Sequence, residues 1–306
     1  SYCRSKRGFD NLNFLLKKLT KAINKSKLQN YEIILLDNCS YINLRKLKKK
    51  FKKINLNVFR NKNTIPAFKN FAKAINYSRG KYIFLHSDDD FIEENFFLNL
   101  KHIFKNKDYD FLMWKVKSFS NNKIGKYNWI NQWPKNKSCE FKPNNKLIKF
   151  PIPSSGYIAK RKFFEKHGTI GSQKEGYDLA FACKLLKYAK KAYFSYESIS
   201  YYRFHSNQTS KLDDPTDMFN KLNFFINSSK IFYKFFKKEK AKTYIKLYLK
   251  HYFFLHVATD MMNREVKKNN KSKFNKLGKF LYGDYWNKKY VSYFKYILPR
   301  INYKKI

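Results

Sequence analysis

Gly80-Lys81-Tyr82-Ile83-Phe84-Leu85-His86-Ser87-Asp88-Asp89-Asp90 runs from a glycine through apolar residues into three consecutive acids. A short apolar run closed by acids reads as a buried strand emptying into a polar loop. Upstream, Tyr31-Glu32-Ile33-Ile34-Leu35-Leu36 ends the same way, at Asp37-Asn38-Cys39-Ser40. A third strand falls near Leu56-Asn57-Val58-Phe59. Between and before these strands the apolar positions take helical spacing. Leu12, Leu15, Leu16, Leu19, Ala22 and Ile23 predict a helix over 11–28 with Asp10 as its N-cap. Leu44, Leu47 and Phe51 predict a very basic helix, and Phe68, Phe71, Ala72 and Ile75 predict one over 67–77. Helix and strand in alternation specify an α/β fold with a mostly parallel sheet, which binds ligands at the carboxyl ends of its strands.

Those strand ends stand out against the composition. The chain has 306 residues with 66 Lys+Arg against 22 Asp+Glu, a formal charge of +44. Only nine of the basic residues are Arg while Asn occurs 32 times, a joint Lys and Asn surplus that reads as compositional drift rather than a set of phosphate clamps, which favour Arg. Three adjacent aspartates in such a chain repel one another and call for a cation or hydrogen-bond donors. Hard oxygen ligands on a short loop suit Mg²⁺ or Mn²⁺ together with substrate phosphates. The competing reading makes the triplet the N-terminus of a helix beginning at Phe91, where Asp caps and favours the dipole.

The hydrophobic fraction of 43%, with 19% aromatic, excludes a disordered chain. No run of 18 apolar residues occurs, so no membrane-spanning helix is expected. Cys3, Cys39, Cys139 and Cys183 form no CxxC pair, consistent with reduced thiols in a cytoplasm.

With these elements in place, the quoted stretch resembles the G-E-Y-I-x-x-x-[DST]-x-D-D region of family-2 glycosyltransferases of the GT-A fold. Residues 31–40 are similar to that family's E-I-I-V-V-D-[ND]-x-S strand and loop. Ser1-Tyr2-Cys3-Arg4 resembles the end of its opening P-T-Y-N-R segment, of whose strand only these last residues are represented. Tyr202-Arg203-Phe204-His205 through Ser210 resembles the Y-R-x-H-x-x-x-x-S element that closes the catalytic domain. The resemblance covers residues 1–212, leaving 213–306 as a basic, aromatic-rich helical region.

The resemblance implies an inverting transfer from a nucleotide sugar, most commonly a UDP-sugar, to a hydroxyl of a glycan or lipid-linked glycan. The setting it implies is bacterial capsule or lipooligosaccharide synthesis. It implies that Asp37 contacts the base and that Asp88 sits near the ribose or sugar, with Arg4 also on the donor. Asp89 falls on the metal-bearing carboxylate, with Asp90 as second candidate. Arg203 and His205 would lie against the diphosphate or its Mn²⁺ or Mg²⁺. The family's acceptor-side base is an Asp where this sequence has Gly176, so Asp178 or Glu175 must substitute. Asp178 also reads as an N-cap of the helix that follows. His86-Ser87 stands where the family often has another acid. Trp114, Trp129 and Trp133 are candidates for sugar stacking or for the core.

Residues 219–306 hold 22 Lys+Arg and four Asp+Glu. Apolar positions such as Ile231, Phe232, Phe235 and Phe236 predict helices with basic and aromatic faces. These suit either an anionic inner-membrane surface, contacted peripherally from the cytoplasm, or a helical cap with a solvated Lys face. A non-enzymatic nucleic-acid-binding protein is the rival from another class, but it leaves the Asp triplet unexplained and no nucleic-acid partner is expected. A glycosyltransferase-like protein with altered catalysis is a third reading, resting on Gly176.

Overall fold

The computed structural model describes residues 6–106, 108–120, 123–128, 137–143, 154–168, 177–203 and 230–243. The chain divides into two compact units, Ser1–Pro215 and Thr216–Ile306.

In the first unit, α1 (Lys6–Ser26) buries Leu12, Leu15, Leu16, Ala22 and Ile23. The helix begins upstream of Asp10, which therefore lies inside it and does not cap it. Packing of Phe9 onto the cluster built by Leu12 and Leu16 carries the helix back past the local cap signal. β1 (Ile33–Asp37) and β2 (Leu56–Arg60) pair in parallel, with Ile33 opposite Leu56 and Asp37 opposite Arg60. The crossover holds α2 (Lys46–Lys50), a single turn and a half. Lys46 opposes Lys49 and Lys50 at repelling helical spacings, so little beyond the burial of Leu47 favours extending it. Leu44, Phe51 and Ile54, on either side, join α1 and the two strands in one core cluster. α3 (Ala67–Tyr77) follows Pro66 and matches the predicted span.

β3 (Tyr82–Phe84) opens the larger sheet. Then come β4 (Phe91–Ile92), α4 (Phe96–Asn106), β5 (Phe111–Ser120), β6 (Lys123–Asn128) and β7 (Cys139–Phe141). A 3₁₀ turn at Ser154–Gly156 leads into β8 (Tyr157–Lys160), α5 (Arg161–His167), α6 (Tyr177–Tyr188) and β9 (Ala192–Arg203). The sheet runs β3-β8-β5-β9-β4, with β6 also on β5 and β7 also on β9. The parallel sense expected of the sheet holds for β1–β2 and β5–β9, whereas the other pairings of the described strands are antiparallel. The chain remains α/β, with a mixed central sheet.

β5 is the spine of the core: Phe111, Leu112, Met113, Trp114 and Val116 are fully buried. Trp114 meets Phe84 and Phe96 edge-on, at centroid distances of 5.3 and 4.7 Å. Its indole N–H donates to Ser155 O and Ser200 Oγ. This satisfies the polar end of a buried Trp and makes Trp114 a core residue, not a sugar platform. Trp129 and Trp133 lie outside the described residues.

In the second unit, residues 230–235 and 238–243 are helical. Ile231, Phe232, Phe235 and Phe236 are buried while Lys230, Lys234, Lys237 and Lys238 are exposed, so here the aromatic face is internal and the lysines are solvated. Cys39, Cys139 and Cys183 are free thiols, and Cys3 lies outside the described residues. Among the described residues no helix is long and apolar enough to cross a membrane.

Candidate active site

The two acid-tipped strands start from a shared tie. Glu32, just before β1, accepts the N–H groups of Arg79 at 2.5 Å and Gly80 at 3.1 Å, just before β3. At the other end of β1, Asp37 is fully buried. Its Oδ1 accepts the Ser40 N–H at 2.8 Å, and its Oδ2 is paired with Arg60 Nη1 at 2.7 Å. Arg60 also donates to Ser40 O at 2.7 Å, so one guanidinium clamps both the carboxylate and the loop after it.

Asn38 continues the clamp. Its Nδ2 donates to Ile65 O, while its Oδ1 accepts Ile65 N–H and Asn61 Nδ2. Asn61 also donates to Asn70 Oδ1, and Asn70 reaches Leu36 O. This buried asparagine network sews the β1 loop to α3. Arg60, Asn61 and Asn70 carry no motif of their own; the parallel register that sets Asp37 opposite Arg60 is the signal that finds the first of them.

At the carboxyl end of β3 the chain passes through Leu85 into the acid triplet. It then becomes a strand, not a helix: Phe91 and Ile92 pair with Tyr201 and Ser200 of β9. The triplet therefore caps no helix, and α4 begins only at Phe96. That short antiparallel pairing carries Arg203, at the end of β9, onto the loop. Its backbone N–H donates to Asp90 Oδ1 at 2.9 Å and its Nε donates to Asp89 O at 2.8 Å. The guanidinium lies over Phe14, Phe91 and Phe119, at 5.1, 5.4 and 5.0 Å from their centroids. Three rings hold it by cation–π attraction. Burial among them lowers the Arg203 pKa, against the pull of Asp89 and Asp90. Residues far apart in sequence, at 89–90 and at 203, thus meet in one place.

The three aspartates differ in environment. Asp88 and Asp89 are half-buried, whereas Asp90 is buried, with its Oδ2 lacking a hydrogen-bond partner. Burial raises the Asp90 pKa well above the carboxylate range, and the charge of Asp89 adds to the shift. Asp90, the second metal candidate of the sequence, ties the β3 loop to β9 through its Oδ1, which accepts the Arg203 N–H. His86 places Nδ1 2.7 Å from Ser87 O. A carbonyl only accepts, so Nδ1 carries the proton. Burial lowers the His86 pKa, which leaves Nε2 a bare acceptor.

Among the described residues no group of three or more His, Cys, Asp and Glu closes a metal site by itself. Two hard carboxylates, Asp88 and Asp89, still fit Mg²⁺ or Mn²⁺ when substrate phosphates complete the shell. Asp178 is the second residue of α6, inside the helix and not before it. Its side chain, Glu175, His205 and Arg4 lie outside the described residues.

The family model for glycosyl transferase family 2 matches residues 9–168, just over half the chain. Similar solved structures include residues 1–349 of TarS from S. aureus in complex with UDP. That alignment has a TM-score of 0.60 at 15% identity and covers 79% of this chain and 69% of TarS 1–349. The same TarS fragment in complex with UDP-GlcNAc aligns with a TM-score of 0.59 at 13% identity, over 79% of this chain and 70% of that one. Without ligand it aligns at 0.60 and 15%, over 83% and 75%. Among curated proteins none matches the sequence. The structural likeness shows a GT-A-like fold, and the family match, on the same strands that carry the acids, shows that the chain belongs to glycosyl transferase family 2.

Proposed function

We propose that the protein transfers a sugar from a UDP-sugar to a hydroxyl of a glycan or lipid-linked glycan, with inversion and with Mn²⁺ or Mg²⁺ bound at Asp88 and Asp89. The observation that carries the reading is the convergence of Arg203 on the Asp88–Asp90 loop at the strand ends. The complexes of TarS with UDP and UDP-GlcNAc support the choice of donor.

Each group has a task in this reading. Arg203, fixed by three rings and by the Asp89 carbonyl, offers a preorganised cation to a diphosphate, whose charge grows as the sugar leaves. The divalent ion, when bound, supplies further charge stabilisation there. Asp90 keeps the loop in register with β9 from inside the fold. Asp37 reads as the support of the base-binding loop, because both its oxygens are engaged within the protein. The acceptor hydroxyl gives its proton to Asp178 or Glu175, near the start of α6, and attacks the anomeric carbon opposite the diphosphate.

The test is a panel of nucleotide sugars with Mn²⁺, Mg²⁺ or chelator, read as release of nucleoside diphosphate. Turnover should require the metal and vanish in Asp89→Ala. Full activity in that variant would remove the metal assignment. Asp178→Asn and Glu175→Gln separate the two candidate bases, and unchanged rates in both would refute the placement.

A further inference from the structure

We propose that the lysine-rich face at residues 45–53 docks the catalytic unit on an anionic lipid surface. This face lies in the described part of the first unit, it is a different segment from the basic C-terminal region, and the proposal does not rest on the transfer chemistry.

Residues 38–87 hold 13 Lys and Arg and no Asp or Glu. Within that acid-free stretch the cations crowd together: residues 45–53 contain six Lys and one Arg, all exposed. The apolar residues between them, Leu47 and Phe51, turn into the core beside Leu44 and Ile54. The folded chain thus sorts the segment into one buried apolar side and one solvated cationic side. Among the described residues, Lys46, Lys48, Lys49, Lys52 and Lys53 have no carboxylate partner, so their charge is uncompensated locally. Lys50 alone is tied down, donating to Asn13 of α1.

The chemistry of the face favours lipid headgroups over nucleic acid. Six of its seven cations are Lys, point charges on flexible stems that suit a diffuse anionic plane; they lack the planar fork that clamps single phosphates. Single-strand binding also needs a series of exposed rings among the cations, on which successive bases stack. The one ring interleaved with these cations, Phe51, is buried. Tyr41, at the near edge of the segment, is 61% exposed, as a ring at a membrane–water interface would be.

The experiment is flotation of the full chain with vesicles of phosphatidylcholine alone and of phosphatidylcholine mixed with phosphatidylglycerol. Binding should appear only on the mixed vesicles and fall with added salt. The variant Lys48→Glu/Lys49→Glu/Lys52→Glu/Lys53→Glu should bind at least about tenfold more weakly. The same four positions changed to Gln should fall between it and wild type, with an unaltered melting temperature confirming a folded chain. A charge-matched control changes four other exposed lysines to Glu, at Lys142, Lys162, Lys166 and Lys190, and should lose much less. Equal losses in the two Glu variants would overturn the proposal, because net charge alone would then explain binding. So would absence of binding to the mixed vesicles, or tighter binding to a single-stranded oligonucleotide than to them. Turnover of a UDP-sugar on a water-soluble acceptor should be the same in both Glu variants, which keeps this proposal separate from the transfer reading.

Discussion

Replacing Arg60 by methionine should cost the protein about 3 kcal/mol, more than replacing its partner Asp37 by asparagine. The asymmetry follows from burial. The Asp37 side chain is 1% exposed and that of Arg60 is 29%. Removing the guanidinium leaves Asp37 Oδ2 charged and dry, with only the Ser40 N–H remaining on the other oxygen. Breaking a buried pair from one side typically costs about 3–5 kcal/mol, and partial solvent access around Arg60 puts this case near the lower end. The hydrogen bond to Ser40 O is lost as well. Asparagine at position 37 keeps the Ser40 contact and leaves Arg60 able to reach water, so about 1–2 kcal/mol is expected there. Urea unfolding of the two single variants and of the double variant gives the comparison. The double variant should be more stable than the sum of the singles implies, because no unpaired buried charge remains. A cost below about 1 kcal/mol for Arg60→Met, or a larger cost for Asp37→Asn, would mean that Asp37 does not depend on the Arg60 guanidinium for its charge compensation.

Trp114→Phe should cost about 2–3 kcal/mol in urea unfolding through lost packing and two lost N–H contacts. It should leave the KM for the donor unchanged, whereas a sugar platform would show the reverse. Burial pushes the Cys183 thiol well up, so it should resist thiol reagents in the native protein while half-exposed Cys39 and Cys139 react. Mass spectrometry of labelled peptides, with and without denaturant, checks this. Hydrogen bonding from Lys160, aided by Lys81, lowers the Asp108 pKa from 3.8 to about 2. The unfolded chain therefore takes up this proton first as pH falls, and the stability the carboxylate contributes is lost between about pH 4 and about pH 2. Acid unfolding of Asp108→Asn should show a shallower loss than wild type across that window.

The first half of the fold was legible because its strands are short apolar runs, two of which lead into acids, and its helices keep strict spacing. β1, β2, α3 and β3 all fall where that pattern puts them. β5 and β9 were not legible, although they are the longest pairing in the sheet. Phe111–Ser120 and Ala192–Arg203 mix lysine, serine and tyrosine with apolar residues, and their burial comes from neighbours distant in sequence. The reading of Phe91–Ile92 as a helix start failed for the same reason, since only pairing with β9 makes those two residues a strand. In the site, Asp37 and the triplet were visible as acids in a basic chain, and Arg203 through its motif. The separation of Asp90 from Asp88 and Asp89 was invisible: three identical residues differ only in burial. Arg60 meets Asp37, and the rings of Phe14, Phe91 and Phe119 meet Arg203, only in the folded chain.

The Asp88–Asp89 loop and Arg203 are proposed to bind a nucleoside diphosphate together with its metal. Calorimetric titration of UDP into the full chain, with Mn²⁺ and with chelator, tests this most directly when repeated on Asp89→Ala. Mn²⁺ should strengthen binding in wild type, with that gain lost in the variant while its melting temperature is unchanged. Equal affinity for UDP in both proteins, with or without Mn²⁺, would contradict that proposal.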